Sequence, residues 1–260
     1  MDDQKTNLKN GGINKKLAAI VLLIILAIIA IVLIKNYSKQ RGNKQNPDQQ
    51  QASNPVACDD SAVFTSFAEA IKSPEKVCRL NMIGQRLPFL PSSISSFTNL
   101  KQLSVSQNQL TALPSSILPL NQLLILDLSY NNISKLSLPP LPSGQQSTTN
   151  TSGAGIELLS NLTKLNVSNN QLTDLPTSFA NLTKLTQLNI SNNKFKTLPP
   201  AVTKLNLLME LNISNNPITA LPDNMKDLTN LSYLVVTGTK IPQKQLDQLK
   251  LSLPKLTIIK

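Results

Sequence analysis

The 260-residue sequence has no histidine and no tryptophan, only two cysteines, and few aromatic side chains of any kind, three Tyr and six Phe. Each absence removes a class of function. Without histidine the commonest general base and the commonest metal ligand are missing, and two cysteines cannot complete a structural zinc cluster. No catalytic residues, no metal and no cofactor are therefore expected, and an enzyme is the least favoured reading. So few aromatics also exclude an ordinary mixed core, so that whatever folds here must be built on aliphatic side chains. There is no shortage of positive charge, but the formal +11 is localised: eight of the 25 Lys and Arg flank one apolar stretch near the N-terminus and the others are scattered. That distribution does not make a nucleic-acid surface, and no nucleic-acid partner is expected.

The apolar stretch runs from Leu17 to Ile34, "LAAIVLLIILAIIAIVLI", with no Gly, Pro or charge. As a helix it would rise about 27 Å, close to the hydrocarbon thickness of a bilayer. It is longer than a signal-peptide core and is followed by Lys35, Asn36 and Tyr37 rather than by small residues. The expectation is an uncleaved single-pass anchor at 17–34 behind a short tail, 1–16, with the membrane as a partner; a cleavable signal peptide is the alternative. Basic residues are balanced on the two sides, so the positive-inside rule does not orient the span. The bulk of the chain and both cysteines lie beyond it, which favours a large domain outside the cytoplasm. Residues 35–57, rich in Gln, Asn and Lys with almost nothing to bury, read as a solvated tether.

Beyond the tether the chain repeats itself. "LNVSNNQLTDLP" at 165–176, "LNISNNKFKTLP" at 188–199 and "LNISNNPITALP" at 211–222 are three copies of one unit. The unit restarts at Val77, Leu100, Leu123, Leu162, Leu185, Leu208 and Leu231, with a period of 23 broken once. Each copy opens with an alternating run, such as Leu188, Asn189 and Ile190, that sends two aliphatic side chains inward from a parallel strand. No copy has a second layer of its own to bury them against, so the copies must stack. At the ninth position stand Asn108, Asn131, Asn170, Asn193 and Asn216. There the chain leaves the strand and turns inward, and a side-chain amide can satisfy backbone groups that no sheet reaches. These five form the expected structural asparagine ladder. The preceding Asn169, Asn192 and Asn215 point outward and are under no such demand in this reading. The Asn-x-Ser/Thr triplets are by-products of the repeat.

On those residues the chain resembles leucine-rich repeat proteins of the 23-residue LxxLxLxxNxLxxLP type, with "LP" at 113–114, 175–176, 198–199 and 221–222. The resemblance implies an α/β fold: a solenoid with a curved parallel sheet on its concave side and an irregular or short helical convex side, over residues 77–260. Residues 58–76 would form its N-terminal cap, since 66–82 is similar to the helical segment that precedes the first repeat in bacterial proteins of this kind. It implies binding of a protein or peptide, and no reaction. The third copy swells by sixteen residues after Leu136, an insertion at 139–155 rich in Pro, Gly, Ser and Thr, readable as a mobile loop or as a contact loop for a partner. Cys58 and Cys78 flank the cap, and a disulfide between them would staple the least supported end of the solenoid; two free thiols are the alternative.

If the sheet face binds, the residues that stand out against its small polar background are Ile125, Tyr130 and Tyr233, apolar or aromatic where the repeat gives them nothing to fill. Asp127 and Lys164 add charge beside Ile125. These five residues are the candidate partner-binding site, centred on the third copy. The favoured function is a membrane-anchored interaction module for an unknown protein or peptide; the alternatives are a structural or adhesive envelope protein and a scaffold facing the cytoplasm.

Overall fold

In the computed structural model the described residues are 58–137 and 155–260. Among them no helix is long and apolar enough to cross a membrane. The longest, Gln243–Ser252, has ten residues, which rise only about 15 Å, half a hydrocarbon core. The structure thus corrects the expectation of a single-pass membrane protein with a membrane partner and an oriented outer domain: no spanning helix is found to support it. The stretch 17–34 on which that expectation rested lies outside the described residues, as do 1–16, 35–57 and most of the insertion.

The described residues form nine strands in one parallel sheet, in the order of the chain. They are β1 (Val63–Phe64), β2 (Arg79–Asn81), β3 (Gln102–Ser104), β4 (Ile125–Asp127), β5 (Lys164–Asn166), β6 (Gln187–Asn189), β7 (Glu210–Asn212), β8 (Tyr233–Val235) and β9 (Thr257–Ile259). A short helix, α1 (Phe67–Ala70), follows β1, and α2 (Gln243–Ser252) precedes β9. Seven strands coincide with the seven repeat starts; the first and last do not. Each carries too short an alternating run, VF or TII, to be separable from loop by pattern, and each exists because a neighbour offers it an unpaired edge.

The strands are brief, but their bonding is not. Beyond the formal strand ends, the Gln107 amide donates to the Ser129 carbonyl, the Tyr130 amide to Ser168, and the Asn169 amide to Ser191. Inter-repeat hydrogen bonding therefore continues from the strand into the turn. Inward from it lies one aliphatic core of Leu, Ile and Val at the repeat positions, joined by the fully buried Phe97, Phe179 and Phe195.

The recurrent proline has a local cause. Pro91, Pro114, Pro176, Pro199 and Pro222 each sit at the residue before a convex 3-10 turn, with φ between −56° and −77°. Proline presets that angle and lacks an N–H, which would have no partner there. Its carbonyl accepts from the amide three residues on, as Pro176 does from Phe179 at 2.9 Å. The third repeat has Ser137 instead, followed by the insertion.

The insertion leaves the stack undisturbed. Ser137 and Gly155 form an antiparallel bridge at its base, and β4 pairs with β5 in the register of every other pair, Ile125 beside Lys164 and Asp127 beside Asn166. The two described residues that flank it, Ser137 and Gly155, stand at the start of the convex segment.

The N-terminal end is tied by several devices. Cys58 and Cys78 are bonded, with Cα atoms 5.3 Å apart. The Lys101 ammonium lies 2.6 Å from Asp60, and Phe67 packs edge-on against Phe97 with centroids 5.4 Å apart. The Ser61 hydroxyl and amide both donate to Asp59 Oδ1, which lowers the Asp59 pKa. At the other end α2 lays Leu246 and Leu249 over the last repeat, and the Lys250 ammonium donates to the Leu256 carbonyl.

Candidate binding groove

The ninth-position asparagines do the same job in every interior repeat. The Asn131 Nδ2 donates to the carbonyls of Leu128 and Ser129 in its own turn and of Val105 in the preceding repeat, at 3.0, 3.2 and 3.0 Å. Its Oδ1 accepts from the Leu110 amide at 3.0 Å. One amide thus satisfies four buried backbone groups and bridges two repeats. Asn108, Asn193 and Asn216 repeat the pattern. Asn170 does so across the insertion, reaching Leu128 and Ile133. At the ends the position changes chemistry: the Gln85 Nε2 donates to the Thr65 carbonyl of the cap, and the Thr239 hydroxyl keeps only a bond to the Val236 carbonyl.

The eighth position carries a demand that pattern reading missed. Gly84, Gln107, Tyr130, Asn169, Asn192, Asn215 and Gly238 all have φ between +53° and +71°. This is the left-handed region, which Gly and Asn enter most cheaply. The first asparagine of each pair is not under the ladder's side-chain demand but under a separate one, set by its backbone. The recurring Asn-Asn, read against Gly at the same position in the first and last copies, was the signal available in the sequence.

A third polar row edges the sheet. At the fifth position the side-chain oxygens of Asn81, Asp127, Asn166, Asn189 and Asn212 accept from the backbone amide two residues on, at 3.0 to 3.2 Å. Asp127 and Asn212 also accept from the hydroxyls of Ser129 and Ser214. Each of these turns spends a side-chain oxygen at the end of its strand; β3 and β8, with Ser104 and Val235 at the fifth position, end at three residues without one. The serine at the seventh position is buried in the five interior copies.

With the fifth position so occupied, the third position carries the variable face of the sheet: Arg79, Gln102, Ile125, Lys164, Gln187, Glu210 and Tyr233 on successive strands. Together the two rows line a groove of about 840 Å³ that runs along the sheet from Val63 to Ile259. Of the five candidate site residues, Ile125, Asp127, Lys164 and Tyr233 line it, and Tyr130 does not. Tyr130 is exposed, but on the turn beyond the strand, in the left-handed row. Nor is Tyr233 beside the others. It stands on β8, four strands from Ile125 on β4, about 19 Å away at the usual strand spacing. Asp127 is half-buried and held by Ser129, so its carboxylate is only partly available to a partner. Arg79 donates to Gln102 at 3.1 Å. Lys164 and Glu210 are exposed and make no ion pair among the described residues.

Comparison with known proteins places this geometry in a class. Residues 160–204 match the family description "Leucine Rich repeats (2 copies)", 184–241 match "Leucine rich repeat", and 122–143 match "Leucine Rich Repeat". No curated protein matches the chain. Among solved structures, an internalin of Listeria monocytogenes is similar at 23% identity and a TM-score of 0.53, over 71% of this chain and 46% of its own. A leucine-rich repeat protein of Leptospira interrogans is similar at 25% identity and a TM-score of 0.50, over 76% of this chain and 58% of its own. The chain thus spans about half the length of these structures. The described residues, 58–137 and 155–260, form a leucine-rich repeat solenoid.

Proposed function

We propose that the solenoid is an interaction module that binds a protein or peptide in the groove along its sheet. The observation that carries this reading is the division of labour among the rows. The first, fourth, sixth and ninth positions are consumed by the core and the ladder, and the fifth, on five strands, by the turns, whereas the third faces the groove and carries six residue types on seven strands. A rigid scaffold that holds a free, variable row in a concave surface is suited to recognition, because its side chains lose little freedom on binding.

Selection of a random-peptide phage library on the full chain tests it. Gln187→Trp fills the middle of the groove, and selected peptides should lose at least about tenfold in affinity for it, the scale of one good interface anchor. Ser96→Trp, on the convex side, should leave them unchanged. Peptides that bind Gln187→Trp as well as they bind the parent chain would move the site off the sheet.

A further inference from the structure

The groove is not uniform along its length. From β2 to β7 its two rows are polar or charged, half of them amides, with Ile125 the single aliphatic exception. On β8 and β9 the character changes: Tyr233 is 51% exposed, Ile259 is 46% exposed, and Val235 lies half-buried between them. The registers place them together. Tyr233 lies beside Glu210 on β7, Val235 lies beside Ile259 on β9, and Tyr233 and Val235 are two residues apart on one face of β8. None of the three is needed by the core, which is closed beneath them by Leu234 and Leu256, both fully buried.

Glu210 is the chemical clue to what covers this patch. It is the acid of the groove whose carboxylate is not spent: Asp127 is bound by Ser129, while Glu210 is exposed and accepts no hydrogen bond and pairs with no cation among the described residues. Its neighbours across the sheet are Gln187 on one side and Tyr233 on the other, each one strand spacing of about 4.8 Å away. An acid beside an exposed aromatic residue, with an aliphatic pair adjoining, matches one kind of side chain well. A lysine or arginine can rest its methylene stem or its charge on the ring while its charge meets the carboxylate. An acidic segment is repelled at the same place, and a purely apolar one leaves the carboxylate desolvated without a partner.

We infer that the β7–β9 end of the groove is the subsite for a basic residue flanked by aliphatic residues in an extended segment of a protein partner. This rests on the groove being the binding surface. The basic side chain lies between Glu210 and Tyr233, and its aliphatic neighbour packs on Val235 and Ile259. The candidate centre on the third repeat then lies outside this subsite, and Ile125 and Lys164 contact other parts of the partner.

The probe is a capped nine-residue peptide with a central lysine flanked by leucines and otherwise serine and threonine, together with versions carrying norleucine or glutamate at the centre. Binding to the full chain is read by fluorescence anisotropy. The lysine peptide should bind at least about fivefold more tightly than the norleucine version, and the glutamate version more weakly still. That preference should vanish in Glu210→Gln and shrink with rising salt. Tyr233→Ala should weaken the lysine peptide by about tenfold, as loss of an aromatic anchor does. Ser96→Trp, on the convex side, should leave it unchanged. Equal binding of the lysine and glutamate peptides, or a lysine preference that survives in a folded Glu210→Gln protein, overturns the subsite. Failure here leaves the groove itself to be judged by the Gln187→Trp selection, which does not depend on the peptide's charge.

Discussion

Asn192 and Asn193 are adjacent, identical in covalent structure, and recur as a pair at 169–170 and 215–216. Asn193 is buried, and its amide bonds to the carbonyls of Ile190, Ser191 and Val167 and to the Leu172 amide. Asn192 is exposed, and its amide makes one marginal contact, 3.5 Å to Ser191 Oγ. The second asparagine is there for its side chain; the first is there because φ is +53°. One letter repeated twice therefore answers two unrelated physical demands, and the repeat keeps both because each copy must bend identically for the next to stack on it.

The comparison can be broken at either residue. The largest effect should come from Asn193→Ala, which leaves several buried backbone groups unpaired in two repeats. A cost of roughly 2–3 kcal/mol is expected, and thermal unfolding of the full chain should shift down by about 4–12 °C. If Asn193→Asp is much milder, the carboxylate is keeping the acceptor role and the donor bonds matter less than argued.

Next is Gly238→Ala at the end of the eighth row. Here φ is +71°, and an added Cβ would press on the Asn215 side chain of the preceding repeat. Strain and displacement together should cost about 1–2 kcal/mol. In the Asn215→Gly background the same substitution should cost measurably less, since the obstructing side chain has gone; equal costs would assign everything to φ.

Asn192→Ala should cost about 1 kcal/mol, the left-handed penalty alone, whereas Asn192→Gly should be neutral within a few tenths. A loss as large as that of Asn193→Ala would mean that the eighth-position side chain has a partner after all. The smallest change is expected at Tyr130, an aromatic residue held at φ +53°. Tyr130→Asn should raise the unfolding temperature by about 1–3 °C, and because Tyr130 lies outside the groove it should not alter capture of groove-binding peptides. A clear loss of binding would return Tyr130 to the site.

Much of this was legible in the chain. A period of 23 with leucines at fixed offsets determines where side chains point inward, and parallel stacking is the only way for such units to bury them. The ladder at Asn108, Asn131, Asn170, Asn193 and Asn216 followed from the same register, because an interior turn must satisfy its own backbone. The groove followed only in part. Sequence could name Ile125, Asp127, Lys164 and Tyr233 as outward residues, but it could not say that Asp127 is held by Ser129, that Tyr130 stands beyond the rim, or that Tyr233 joins Val235 and Ile259 four strands away from Ile125. Those relations depend on strand spacing, on where each strand stops, and on pairing between residues a whole repeat apart. Two strands escaped notice altogether, β1 and β9, since two or three residues become a strand only when a neighbour presents an open edge. The repeat period is written in local sequence because it is a local steric requirement renewed every 23 residues; the identity of the free, neighbouring side chains on the groove was decided by the assembled stack, where residues far apart in the chain first share a surface.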